Sequence, residues 1–480
     1  MELCPFATQN SELFRSLLKV VETCLAANSE VGQIPAPITN IIHADRADFA
    51  FVILRKLSQI PARPDTGAIY EGVLKAAWKA ILSEKQEFHK AFSTGENIAY
   101  YRSLLRIIYM SLLAQQSSTE AVPVQVCYVI LDMLDLVVTQ GFKDLAQAAQ
   151  SQPEVTNPED LALVTAILQA SLRVKGIEAI HSGLGMHVGE QNTIRAATTL
   201  YSWAEQIGTT ENGFNDPVYG ELAVLFLLEL SYIPLLAEQL AVERVLDLLL
   251  TSNLSRTISS VMTGGLNNPL QYPRLHNIWS RGLLPILINL LSAIGPRIGS
   301  DVVQFLSFFG RQIESLVDSW KQRGSAITLP GVRETSTLVG ILEILRSWGV
   351  NVPSPTGKLK QLQLSNGNEG DTEMTASVSP LSGGNREETN IFGTEPSICI
   401  INGIRFDKGA VLEGVEYLLN HRNYLASLVV PTTFEEEENA IVDKTGDKAG
   451  VSKLVEKVIN EMDTLRKLLT VVIGEDAEKV

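Results

Sequence analysis

The run VVQFLSFFGRQIESLVDSW, Val302 to Trp320, decides how the rest of the chain is read. Its apolar residues are Val302, Phe305, Leu306, Phe309, Ile313, Leu316, Val317 and Trp320. Steps of three and four residues put them on one stripe of an α-helix, with Ser300 as the expected cap. A second start signal is Asn157-Pro158-Glu159-Asp160. It offers a capping Asn, a Pro in the first turn and two acids facing the positive end of the helix dipole. The stripe that follows is Leu161, Val164, Leu168 and Leu172. Comparable patterns cover Leu13 to Leu25, Ile38 to Leu57, Ala68 to Leu82, Ile98 to Leu113 and Val124 to Val138. They continue through Thr193 to Ile207, Val218 to Leu250, Leu275 to Ile294 and Thr335 to Trp348. Pro234 and Pro285 fall inside two of these runs, where each must kink a helix or separate two.

No alternating strand series interleaves with the helices, so a βα fold is excluded. Roughly 14 helices joined by short turns fit a compact bundle or a stacked helix-pair solenoid with a repeat of about 40 to 47 residues. One core grows inefficiently beyond about 250 to 300 residues. Stacked pairs add core linearly, so an all-α solenoid is expected.

Composition changes at Pro353. Ser354 to Pro396 is dominated by Ser, Thr, Gly, Asn and Glu without periodicity. The reading is a helical-repeat solenoid over 1–353, a disordered insertion over 354–396, and C-terminal helices over 397–480 that cap the same solenoid. In the last part Val411 to Leu428 and Leu454 to Leu469 are helical, separated by FEEEE, Phe434 to Glu438, read as a solvated loop. The outer face of the final helix pairs Lys457 with Glu461 and Asp463 with Lys467 at i,i+4. Between Ile398 and Phe406, Asn402-Gly403 reads either as a hairpin turn or as part of an extended segment.

The chain has 480 residues, 54 Asp+Glu against 39 Lys+Arg, and a net charge of −15. With 45% hydrophobic residues it is not mainly disordered. Its acidity excludes a general nucleic-acid binder, which needs a basic stripe to replace phosphate counterions. The most apolar runs, Glu221 to Val242 and Gly282 to Gly295, are interrupted by acids or too short against the ~20 residues a membrane span needs. Both are expected to be core helices without direct membrane insertion. The start, MELCPFATQNSEL, carries no secretory signal pattern.

No residue is assigned a catalytic, cofactor-binding or metal role. His181 and His187 in HSGLGMHVG lack the third ligand a metal needs, and the stretch reads as a loop between helices. Gly183-Leu184-Gly185 lacks the strand and third glycine of a dinucleotide loop, and Ser16-Leu17-Leu18-Lys19 matches SxxK by chance. Trp78, Trp203, Trp279, Trp320 and Trp348, one per helix, read as core. Cys4, Cys24, Cys127 and Cys399 form no CxxC pair and read as reduced thiols, Cys24 and Cys127 on apolar helix faces. Ser354-Pro355 and Ser379-Pro380 are candidates for proline-directed phosphorylation at Ser354 and Ser379.

RLHNIWSRGLLPILINLLSAIGPRIGSDVVQFLSFFGRQIESLVDSW (Arg274 to Trp320) resembles the C-terminal domain of the fungal nucleoporin-188 family. So do LYSWAEQIG (Leu200 to Gly208) and LLNHRNYLASLVVPTTFEEEE (Leu418 to Glu438). The resemblance runs the length of the chain. It implies the tail of a larger, non-catalytic scaffold protein, built as a right-handed superhelical solenoid of HEAT- and armadillo-like helix pairs. It also implies a place at the nuclear envelope, in the inner ring of the nuclear pore complex, with a linker nucleoporin as partner. A likeness to karyopherin transport receptors follows, and with it acceptance of FG-repeat nucleoporins. The same periodicity and acidity would serve a soluble importin-type transport receptor or cargo adaptor, which remains the alternative.

Overall fold

The computed structural model describes residues 11–26, 36–59, 66–118, 121–153, 156–207, 210–211, 214–349, 398–401, 404–440 and 452–479. The 354–396 segment, with Ser354 and Ser379, lies outside the described residues, as does Cys4. In chain order the helices begin with α1 (Ser11–Ala26), α2 (Ala36–Leu57), α3 (Thr66–Ser83), α4 (Lys85–Thr94), α5 (Ile98–Gln116) and α6 (Val124–Met133). A π-helical turn, Leu134–Gln140, leads into α7 (Gly141–Ser151), followed by α8 (Pro158–Leu172), α9 (His181–Glu190) and α10 (Thr193–Ile207). A small hairpin of β1 (Thr210–Glu211) and β2 (Phe214–Asn215) precedes α11 (Val218–Ser231), α12 (Pro234–Val242), α13 (Val245–Thr251) and α14 (Asn253–Val261). Next come α15 (Asn268–Gln271), α16 (Pro273–Asn277), a second π-helical turn (Ile278–Leu283), α17 (Leu284–Ile294), α18 (Gly299–Phe308), α19 (Gly310–Lys321) and α20 (Leu329–Ser347). The chain closes with β3 (Ile398–Ile401), β4 (Ile404–Asp407), α21 (Lys408–Asn420), α22 (Arg422–Leu428), α23 (Phe434–Ala440) and α24 (Lys453–Lys479). Contacts divide it into two compact units, Met1–Ser255 with Arg281–Asn289, and Arg256–Ser280 with Leu290–Val480.

All eight apolar residues of the Val302 stripe are buried. They do not share one helix, however. Phe309 (φ −94, ψ 22) breaks the run between α18 and α19, and its side chain packs 4.6 Å from Trp279 and 5.3 Å from Phe305. Ser300 is not the cap: a 3₁₀ turn, Gly295–Ile298, runs straight into α18, and the Ser300 hydroxyl faces Asp301. Asn157 does cap α8, accepting from the Glu159 N–H at 2.9 Å, with Pro158 in the first turn. Pro234 opens α12 as its first residue, separating it from α11. Pro285 instead sits just inside α17, directly after the second π-helical turn. There the ladder is already loosened where proline removes a donor.

Several helices escaped the periodicity. α4, α7 and α14 were unmarked, and HSGLGMHVG is helix α9 rather than a loop. FEEEE is likewise helical, in α23. β3 and β4 pair antiparallel, with Cys399 registered against Phe406, while Asn402 and Gly403 lie outside the described residues. On α24 the charges expected to pair at i,i+4 take other partners. Glu461 bonds Arg333 of α20 at 2.8 Å, Lys457 lies 3.7 Å from Glu435, and Asp463 pairs with Arg466.

Polar ties between helices recur at a nearly constant offset along the sequence. In the first unit they join Arg102 to Asp160, Gln116 to the Ala170 carbonyl, Thr193 to the Thr139 carbonyl, Gln169 to Glu229 and Tyr201 to Ser255. In the second they join Ser259 to the Phe308 carbonyl, the Leu266 N–H to Ser319, His276 to Glu334 and Thr328 to the Leu266 carbonyl. The offsets run from 49 to 62 residues. Each repeat therefore meets the equivalent elements of the next, as quasi-one-dimensional stacking requires. The repeat exceeds the expected 40 to 47 residues because the unmarked helices, such as α4 and α7, lengthen it.

Two helical stretches, Val124–Ser151 and Pro273–Phe308, are long and apolar enough by length and composition to cross a membrane. About half of each apolar window is buried inside the protein (56% and 50%). The second is longer than Gly282 to Gly295 suggested, because the π-helical and 3₁₀ turns keep it continuous.

Candidate interaction surfaces

A row of three parallel helices carries an exposed apolar surface in the first unit. A Cβ added at Gly183 would lie 2.7 Å from Leu131 Cδ2, and His187 Nδ1 is 3.3 Å from Asp135 Oδ1. Residues rising together on both elements mean that α9 runs parallel to α6 and its π-helical extension. Gly185 meets Leu235 and Leu236, and Gly189 meets Gln239, so α12 runs parallel to α9 in turn. The glycines let the helices approach closely without altering the backbone. Leu184 and Val188 of α9, Leu236 and Leu240 of α12, and Val126 and Ile130 of α6 point into the core. On the opposite side of these helices Val124 (59%), Tyr128 (58%), Met186 (57%) and Val242 (80%) are exposed. Asp132, Glu190 and Glu238 are exposed among them. The three helices contain no Lys or Arg. The surface is thus apolar and acidic at once.

The two histidines of this row do not converge. Six residues apart on one helix, His181 and His187 point to different sides. His187 pairs with Asp135, and burial lowers the pKa of His181. Among the described residues no group of three or more His, Cys, Asp or Glu is placed to hold a metal ion. A polar cleft of about 490 Å³ nearby is lined by Lys85, His89, Asp135, Asp144 and Ser151. His89 Nδ1 lies 2.8 Å from Asp144 Oδ2, but Ser151 donates to the Gln147 carbonyl at 3.0 Å. The three are not strung as a nucleophile, base and acid.

In the second unit the buried polar chemistry is concentrated at Glu334 of α20, which is 1% exposed. Its carboxylate accepts from Trp279 Nε1 at 2.7 Å and Gln312 Nε2 at 3.0 Å, and its other oxygen lies 2.8 Å from His276 Nε2. This cluster locks three helical segments together and has no opening to solvent. The sequence reading missed it, since Glu334 carries no motif.

The remaining sequence candidates are scattered between core and surface. Trp78, Trp279 and Trp320 are buried as expected, but Trp348 is half-buried and Trp203 is 49% exposed, so Trp203 is not core. Cys24 and Cys127 are free thiols; burial pushes the Cys127 thiol up, and its sulfur lies 3.5 Å from the Gly176 carbonyl. The side chain of Cys399 lies outside the described residues. Leu18, in the SxxK-like run, is core. Of the acidic run, Glu436 is buried and accepts from the Thr432 N–H and hydroxyl at 2.7 and 2.8 Å, while Glu435, Glu437 and Glu438 are exposed.

Comparison with known proteins gives this arrangement a family. Residues 73–356 and 391–469 match the family model described as the nuclear pore protein NUP188 C-terminal domain. Nucleoporin NUP188 of Chaetomium thermophilum is 28% identical across 96% of this chain and 24% of its own length. Nucleoporin nup184 of Schizosaccharomyces pombe is 25% identical over 72% of this chain and 21% of its length. Nucleoporin NUP188 of Saccharomyces cerevisiae is 25% identical over 87% of this chain and 24% of its length. The chain thus spans under a quarter of the length of these relatives. A solved Nup188 fragment (aa1445-1827) from Myceliophthora thermophila superposes with a TM-score of 0.57 at 28% identity, covering 82% of this chain and 98% of the fragment. The same all-α solenoid stacking is therefore shared in three dimensions, and the chain belongs to the NUP188 C-terminal domain family of the nuclear pore complex.

Proposed function

We propose that this chain is the tail of an inner-ring scaffold nucleoporin and works by surface, without catalysis, a cofactor or membrane insertion. The observation that carries the reading is the α6, α9 and α12 row, apolar, acidic and free of Lys and Arg. Such a face suits a basic amphipathic helix: apolar residues enter between the helices, and flanking Lys or Arg meet the acids. A linker nucleoporin of the inner ring is the partner this supports. Capture of a linker-nucleoporin helix by the chain, lost when Met186 and Tyr128 are both changed to Asp, would bear it out. Binding of the GTP-loaded transport GTPase without linker binding would replace it with an importin-type receptor.

A karyopherin-like role rests on the same face. Tyr128 and Met186, exposed on neighbouring helices, are groups that favour a Phe ring from an FG repeat. An FG-repeat peptide whose binding is unaffected by the double Asp variant would remove that role. Phosphorylation of Ser354 and Ser379 would add negative charge to an acidic chain and weaken acidic partners. Phosphopeptide mapping that finds both serines unmodified in dividing cells would dismiss it.

A further inference from the structure

The second unit holds a preformed cleft of about 350 Å³ between the end of α19, the loop to α20, and α21 with α22. Its size falls in the range of pockets that bury one or two side chains rather than a helix face. Two close approaches shape it. A Cβ at Gly414 would lie 2.6 Å from the Trp320 carbonyl, so α21 rests directly on the end of α19. Gly324 takes φ +94, a left-handed conformation that turns the loop under Tyr424. The loop is pinned by a parallel bridge, the Ile327 N–H donating to the Leu428 carbonyl at 2.8 Å and the Val430 N–H to the Ile327 carbonyl at 3.0 Å.

The chemistry of the walls is one-sided. The rings of Tyr417 and Tyr424 stand edge to face, 6.3 Å apart, and the Arg323 guanidinium lies 4.9 Å over Tyr417. Among the described residues Arg323 makes no ion pair, whereas neighbouring Lys321 is tied to Asp318 at 3.0 Å. The hydroxyls of Tyr417 and Tyr424 likewise have no hydrogen-bond partner among the described residues. Against these donors the lining offers one carboxylate, Glu413. In a chain of net charge −15, an aromatic cleft with an unpaired Arg at its rim is a local inversion of charge.

We propose that this cleft binds a short acidic peptide segment of a partner protein, anchored by one aromatic side chain. The ring enters the cleft beside Tyr424, against Leu418 and Leu428, and a carboxylate one or two residues away accepts hydrogen bonds from the Arg323 guanidinium and the Tyr424 hydroxyl. A guanidinium fork held over a tyrosine ring is preorganised for a carboxylate, so Lys would not replace it. This site is separate from the basic-helix surface of the first unit and calls for a partner of opposite charge.

The test uses the intact chain and a fluorescein-labelled peptide of sequence Gly-Ser-Asp-Phe-Glu-Gly-Ser, with binding read by fluorescence anisotropy. Saturable binding is expected, weakening as salt is raised. Replacing Phe by Ala, or both acids by their amides, should each cost about tenfold or more in affinity. Arg323→Gln and Arg323→Lys should each cost about tenfold, with an unchanged thermal midpoint because Arg323 is exposed. Tyr424→Ala reports the aromatic wall independently of charge. Absence of saturable binding would overturn the proposal. So would equal binding of the amide peptide or of a Gly-Ser-Phe-Gly-Ser peptide, or indifference to both Arg323 variants.

Discussion

Glu229 and Glu334 are both helix carboxylates with little exposure, 7% and 1%, one in each unit. Their surroundings differ in the number of donors. Glu229 has the Gln169 amide at 2.5 Å, and burial raises its pKa above the usual 4.5 while that bond and the Arg173 charge pull the other way. Glu334 is met by His276, Trp279 and Gln312 together. The comparison teaches that an acid inside a helical stack is tolerated through donors rather than through exposure. Where donors converge, the acid becomes a structural centre; where one donor serves, it stays a mild liability.

Removing the centre should have the largest effect. Glu334→Ala would strand a buried His, an indole N–H and an amide, costing about 3 to 5 kcal/mol in chemical denaturation. A loss below about 1 kcal/mol would mean that the cluster does not hold its helices. Asp160 is an intermediate case, 4% exposed and bound by Arg102 at 2.6 and 2.7 Å. Arg102→Ala should cost about 2 kcal/mol. A double-mutant cycle with Asp160→Asn that finds no coupling would refute the tie. Next comes Asn157→Ala, which removes the cap of the same helix and should cost about 1 kcal/mol, seen as faster amide exchange at Glu159.

Glu229→Gln should have the smallest effect, and in the opposite direction. Because the folded pKa is raised, the folded state keeps a proton that the unfolded state loses just above pH 4.5. Stability therefore falls as pH rises through the window from 4.5 to the raised value. The Gln variant lacks this slope, so its thermal midpoint should exceed the parent's slightly at pH 7. The advantage should vanish below pH 4.5. An equal difference at both pH values would show that the carboxyl's charge is not the cause.

The one-sided stripes of α8, α18 and α19 were legible because helical period and core burial are local facts about neighbouring residues. The Asn157-Pro158 start was legible for the same reason, since a cap bonds only two or three residues along. α9 was not. Its glycines look like a loop until Leu131 and Leu235 are seen to need the space that side chains would occupy. Trp203 failed in the other direction: its helix is right, but its face is turned to solvent. The cleft of the second unit carried no motif, because Arg323 precedes Tyr417 and Tyr424 by about a hundred residues.

By itself the sequence determined the helical class, the capping at Asn157, the acidity and the family, all of which depend on composition, period or ordered residue identity. Only the tertiary structure decided which helix faces another 49 to 62 residues away, where Phe309 splits a continuous stripe, and that Glu334 is a centre. The physical reason is that periodicity names the buried face of a helix but not its neighbour. Side-chain volume, close approach at glycine and the demand of buried polar groups for partners select that neighbour.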